Sequence, residues 1–145
     1  GKYFGAGDAW NFRKAIKVSF QWGFGISITL VLLFYFFGRE ILQILTDNQE
    51  VINAAMPFMG WLIIAPIIHA VPFIWDGIYI GITASKAMRN TMLLSTFLFF
   101  LPTYYLLHGT MGNHALWLAL TILMLARGIS QTVLAKHVVF NRLKN

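Results

Sequence analysis

Residues 72–81 read PFIWDGIYIG, with one carboxylate, Asp76, among Pro, Phe, Ile, Trp and Tyr. In water this is a helix or strand with one stray acid; in a bilayer Asp76 is its most costly side chain. The solvent around this stretch decides the fold, and the rest of the chain identifies that solvent. Of 145 residues, 58% are hydrophobic and 11% charged, with mean hydropathy +0.67, whereas an ordinary soluble domain carries roughly 25% charged residues. A soluble fold of this size has no interior large enough to hide so much apolar surface.

Outward from Asp76 the charges fall at wide intervals. Residues 18–38 lie uncharged between Lys17 and Arg39, residues 51–75 between Glu50 and Asp76, and residues 90–126 between Arg89 and Arg127. The last run is too long for one crossing and is broken by HGTMGNH at 108–114. About 20 apolar residues cross a bilayer core as helix. The chain therefore reads as an all-α polytopic membrane protein, a single membrane domain over 1–145 with four transmembrane helices near 18–38, 55–84, 88–107 and 114–137. A membrane β-barrel needs alternating segments of about ten residues, and nothing here alternates that way. Three further runs follow the first, with no small-residue cleavage site, which argues against a signal peptide. The chain has no cysteine, so thiolate metal sites are excluded.

Charge placement gives an orientation. With both termini on one side, that side holds Lys2, Arg13, Lys14, Lys17, Lys86, Arg89, Lys136, Arg142 and Lys144, nine cations, while the opposite loops hold only Arg39. The positive-inside rule makes both ends cytoplasmic in a multi-pass plasma membrane protein. The net charge of +6 is mostly this bias, which accounts for it without a nucleic-acid partner. At the start of the chain, GKYFGAGDAW has a glycine-rich turn followed by Asp8, placed as the N-cap of a helix that runs through Phe12, Ala15 and Ile16 into the first crossing. Gly5 and Gly7 have the spacing of a phosphate loop but no strand before them, and they read as a turn.

YFGAGDAWNFRKA, TDNQEVINAAMPF, FIWDGIYIGITASKAMRNTM and GNHALWLAL occur in this order across the chain. Together they resemble successive landmarks of the multidrug and toxic compound extrusion (MATE) transporters, in particular the DNA-damage-inducible F-like branch. The resemblance implies a twelve-helix protein in two six-helix lobes, of which these are the last four helices. The first lobe and the first two helices of the second would then be missing partners. It also implies a secondary antiporter that exports small organic, often cationic, compounds in exchange for H+ or Na+, in a bacterial inner membrane. No cofactor is implied beyond the coupling cation. In several members the acid of this helix, in an F-D or W-D dipeptide, takes part in coupling-ion binding; Trp75 and Asp76 are the matching pair.

The residues themselves make Asp76 a candidate. Counting from Lys86 at the inner surface, it lies about 15 Å deep in a regular helix, which is membrane interior. A carboxylate there must bind a proton or cation, or pair with a base. Heptad spacing places His69, Asp76 and Thr83 on one helix face, with Tyr79 flanking, and Pro66 and Pro72 free backbone carbonyls that a passage would satisfy. Arg127, nine residues before Lys136 on the last helix, lies at a similar depth and is the alternative: a structural partner for Asp76. Asp76 thus stands as the coupling-ion candidate, and as the metal ligand if the ion is Na+, with His69, Tyr79, Thr83 and Arg127 as supporting or cavity-lining candidates.

His69 reads as a hydrogen-bonded interior histidine or a proton relay. His108 and His114 flank an outward loop without a carboxylate cluster, a poor metal site. Gln21, Ser95 and Gln131 read as helix-to-helix hydrogen-bonding groups before pore-lining ones. A membrane acyltransferase needs four residues between His and Asp, whereas six separate His69 from Asp76, and no serine has a partner base; an enzyme does not fit. A lipid-linked oligosaccharide flippase of the same superfamily remains an alternative, although it calls for a more cationic cavity than Asp76 and Arg127 provide. A non-transporting segment held by a structural Asp76–Arg127 pair is the other.

Overall fold

The computed structural model describes residues 1–141; Arg142 and Lys144 of the charge count lie outside them. Among the described residues the regular structure is all helical. A short helix α1 (Lys2–Gly5) leads into four long ones, α2 (Ala9–Leu45), α3 (Gln49–Gly81), α4 (Ser85–Met111) and α5 (Asn113–Phe140), each long and apolar enough to cross a membrane.

The start of α2 is set by local chemistry. Gly7 takes a left-handed φ of 67°, and Asp8 then caps the helix, accepting from the backbone N–H of Asn11 at 3.0 Å and from its side-chain Nδ2 at 2.6 Å. The helix therefore begins before the apolar run, because charges mark the membrane surface and not the helix end. At the other end the backbone leaves helical geometry at Phe37 (φ −124°, ψ 19°). Gly38 follows, packed so closely on Met59 that a Cβ there would stand 2.7 Å from the Met59 sulfur. The kink falls where the apolar run stops, and the helix continues beyond it to Leu45.

Helix α3 is capped by Asn48, whose Oδ1 accepts from the N–H of Glu50 at 2.9 Å. It tightens into one 3₁₀ turn at Met56–Phe58, around Pro57, and then runs unbroken through Pro66 and Pro72 to Gly81. Helix α4 contains a π turn, Thr96–Phe100, just before Pro102, and α5 ends in another, Lys136–Phe140. Such turns absorb an extra residue without ending a helix.

Helix α3 is central: α2 and α5 both pack on it, with little direct contact between them, and α4 packs on α5. At the end holding the termini, Phe12, Trp75, Tyr79, Ile82, Ala135 and Val139 form the core. Along α5 the residues turned inward include Ala115, Ala119, Gly128 and Ala135, small side chains that let backbones approach where lipid supplies no hydrophobic drive between helices. At Gly128 an added Cβ would lie 3.3 Å from both Pro72 Cδ and Val71 Cγ1. That approach brings the polar face of α5 onto α3.

Candidate functional site

Beside this contact, and over the turn or two that follow it on each helix, α3 and α5 exchange their polar groups. Arg127 Nη2 donates to Asp76 Oδ2 at 2.7 Å, and Gln131 Nε2 donates to Asp76 Oδ1 at 2.7 Å. Arg127 and Gln131 are four residues apart, so both project from one face of α5 and grip the carboxylate from adjacent turns. The Tyr79 hydroxyl donates to the Gln131 carbonyl at 2.8 Å, and Trp75 Nε1 donates to Thr132 Oγ1 at 2.8 Å. These two bonds fix the rotation of α5 against α3, while Phe20 of α2 closes on the Trp75 ring edge-on at 5.4 Å.

The Asp76 side chain is 18% exposed and that of Arg127 10%. Among the described residues this is the one ion pair. Its charges cancel at a depth where either alone is expensive. The satisfaction is incomplete: Arg127 Nε and Gln131 Oε1 are buried without a hydrogen-bond partner among the described residues. Chemically, the cluster is a carboxylate that accepts one hydrogen bond on each oxygen, from Arg127 and from Gln131.

The other expected members lie elsewhere. Tyr79 is wholly buried and its hydroxyl holds the α5 backbone, so it positions α5 against α3. Thr83 leaves the proposed polar line because α3 stops at Gly81, and heptad spacing holds only inside a continuous helix. Its φ is 58°, and its hydroxyl donates to the Ile82 carbonyl at 2.7 Å. His69 lines an apolar hollow of about 560 Å³ between α2 and α3, with Phe34, Phe73 and Trp117 among its walls; Asp76 does not line it. Gln131, expected to hydrogen-bond between helices, does so, and its place beside Arg127 on the carboxylate could have been found from the four-residue spacing. At the opposite end, Trp61 Nε1 donates to His114 Nδ1 at 3.1 Å and Phe58 packs on the same imidazole, so this histidine, in the first turn of α5 and not in the loop, serves helix packing.

The family model described as MatE matches residues 1–106, a span that includes the whole of α3 and Asp76. The chain is similar to the DNA damage-inducible protein F of Escherichia coli (strain K12), 28% identical over 130 residues, which are 90% of this chain and 28% of that protein. The chain thus spans little more than a quarter of the length of this curated relative. No solved structure matches it.

Proposed function

The chain belongs to the MatE family of membrane transporters, and from that premise we propose that it forms part of a secondary active antiporter, exporting organic, often cationic, compounds in exchange for H+ or Na+. The observation that carries this reading is the Asp76 carboxylate, on a helix long and apolar enough to cross a membrane, held by two donors from a neighbouring helix and still 18% exposed. A cation arriving from either side competes with Arg127 for the same oxygens. With Asp76 loaded, Arg127 is left as an unpaired charge in the interior, an arrangement that favours release or rearrangement of α5. Coupling ion and a cationic substrate, where the substrate is one, would then exclude each other, which is the logic of exchange. For Na+, the Asp76 carboxylate and the side-chain oxygen Oε1 of Gln131 are the candidate ligands.

In the intact protein, Asp76→Asn keeps the shape and removes the charge. Efflux driven by a proton or sodium gradient should collapse while the protein still inserts in the membrane. A fully active Asp76→Asn protein would rule out coupling through this residue. The tightness of the pair favours one second reading, a static brace between α3 and α5; under it Asp76→Asn loses stability, and efflux falls only in proportion to folded protein.

A further inference from the structure

On the side of the termini, α2 and α5 diverge and leave a groove floored by α3, and its lining changes character with depth. At its mouth a hollow of about 300 Å³ is lined by Arg13, Lys136, Phe140 and Asn141, and an adjoining one of about 360 Å³ by Trp10, Arg13, Lys14 and Lys17. Deeper, an apolar hollow of about 420 Å³ lies between Phe24 of α2, Ile67 and Val71 of α3, and Leu125, Ile129 and Val133 of α5. The two zones are continuous along each helix. From Lys17 to Phe24, and from Ile129 to Lys136, is seven residues, which is two turns on the same face and about 10 Å of rise.

We infer that this groove binds one phospholipid with an anionic headgroup, its phosphate held by Arg13, Lys17 and Lys136 and an acyl chain lying between Phe24, Ile129 and Val133. The cations are available. Among the described residues none of Arg13, Lys14, Lys17 and Lys136 has a carboxylate within 4.0 Å, and Asp8, the acid at this end, is engaged by Asn11. Arg13 already leans across the groove, its guanidinium 5.5 Å from the centre of the Phe140 ring. Trp10, 79% exposed, stands where an indole sits at a membrane interface. Ile129 and Val133 are 64% and 65% exposed, so the apolar zone is open from the lipid side. A free anion would satisfy the mouth and leave the apolar zone unexplained; a bilayer lipid matches both zones, two helical turns apart. Basic pockets between transmembrane helices commonly take such headgroups.

The test uses the intact protein in detergent, titrated separately with phosphatidylglycerol, phosphatidylcholine and inorganic phosphate, with bound lipid counted by native mass spectrometry. One tightly held phosphatidylglycerol is expected, weakened roughly 10- to 30-fold by Arg13→Gln with Lys136→Gln, since each surface cation contributes roughly three- to fivefold. Arg13→Lys with Lys136→Arg should restore it. Independently of charge changes, a photocrosslinking residue at Val133 should label phosphatidylglycerol in preference to phosphatidylcholine in mixed vesicles of the two. Equal retention of both lipids, or inorganic phosphate displacing phosphatidylglycerol completely, would overturn the proposal. So would a crosslink from position 133 to another segment of the intact protein, which would show the groove to be a helix-packing surface.

Discussion

Arg127 Nη2 and Asp76 Oδ2, fifty-one residues apart in sequence, stand 2.7 Å apart between α5 and α3. The pair sits next to the closest approach of the two helices, where Gly128 meets Pro72 and Val71. Charge pairing and backbone contact are therefore mechanically linked: separating one strains the other.

A double-mutant cycle separates the energetic roles. Asp76→Asn leaves the Arg127 guanidinium buried without its counter-charge, and Arg127→Gln does the converse, each costing about 3–5 kcal/mol when a buried pair is broken from one side. The combined Asp76→Asn, Arg127→Gln variant should recover most of this, because two neutral amides can bond to each other. Thermal stability of the intact protein in detergent measures all three, and gradient-driven efflux on the double variant should stay absent even with stability restored. Equal losses in the single and double variants would exclude a coupled pair.

Gly128 supplies a steric prediction. Gly128→Val should push α5 from Pro72 and cost about 1–3 kcal/mol as an overpacking change. Gly23→Ala, whose added methyl meets the flexible tip of the Ile74 side chain, should cost less. Melting temperatures of the two variants in detergent test the order; a Gly128→Val protein as stable as the wild type would mean that the contact is loose.

The membrane class was legible because charge is scarce, and counting inward from Lys86 and Lys136 sets Asp76 opposite Arg127, the two residues that pair. The depth counted from Lys86 needs a regular helix between Lys86 and Asp76, and α3 stops at Gly81. The face presented by each residue was less legible. Thr83 was assigned to the Asp76 line on the assumption of an unbroken helix, and the turn after Gly81 removes it. Tyr79, which flanks Asp76 in sequence, spends its hydroxyl on a backbone carbonyl of α5, a partner determined by the rotation of a helix fifty residues away. The kink at Phe37 and the tight contact of Gly38 with Met59 depend on α2 meeting α3, which no local pattern encodes.

Asp8 gives a pH dependence. Its carboxyl is held below the ordinary value of 3.8, first by the backbone N–H of Asn11 and then by the Asn11 side chain. A depressed folded-state value means that the cap is fully effective above pH 3.8 and is lost as pH falls through the lower, folded value. Hydrogen exchange at the first-turn amides of α2 should accelerate below that range, and Asp8→Ala should show the fast exchange at neutral pH. An acid-independent rate in the wild type would show that the cap contributes nothing.

Orientation can be tested by topology reporters on the intact protein. Nine cations on the side of the termini against Arg39 on the other favour retention of the first side in the cytoplasm. The retained side includes the short turn between α3 and α4, where Lys86 and Arg89 lie one helical turn apart at the start of α4. A reporter inserted near Ser85 and one fused after Asn145 should both register cytoplasm, and one near Asn48, in the turn between α2 and α3, the exterior. The three sites are not independent, because α3 and α5 are held together by the Asp76 cluster and α4 packs on α5; inverting one helix alone would drag polar groups through the bilayer. Neutralising Lys14, Lys17, Lys86 and Arg89 together should therefore yield a mixture of two whole-bundle orientations. An exterior signal at Ser85 in the wild type would reverse the assignment of sides while leaving the α3–α5 pairing untouched.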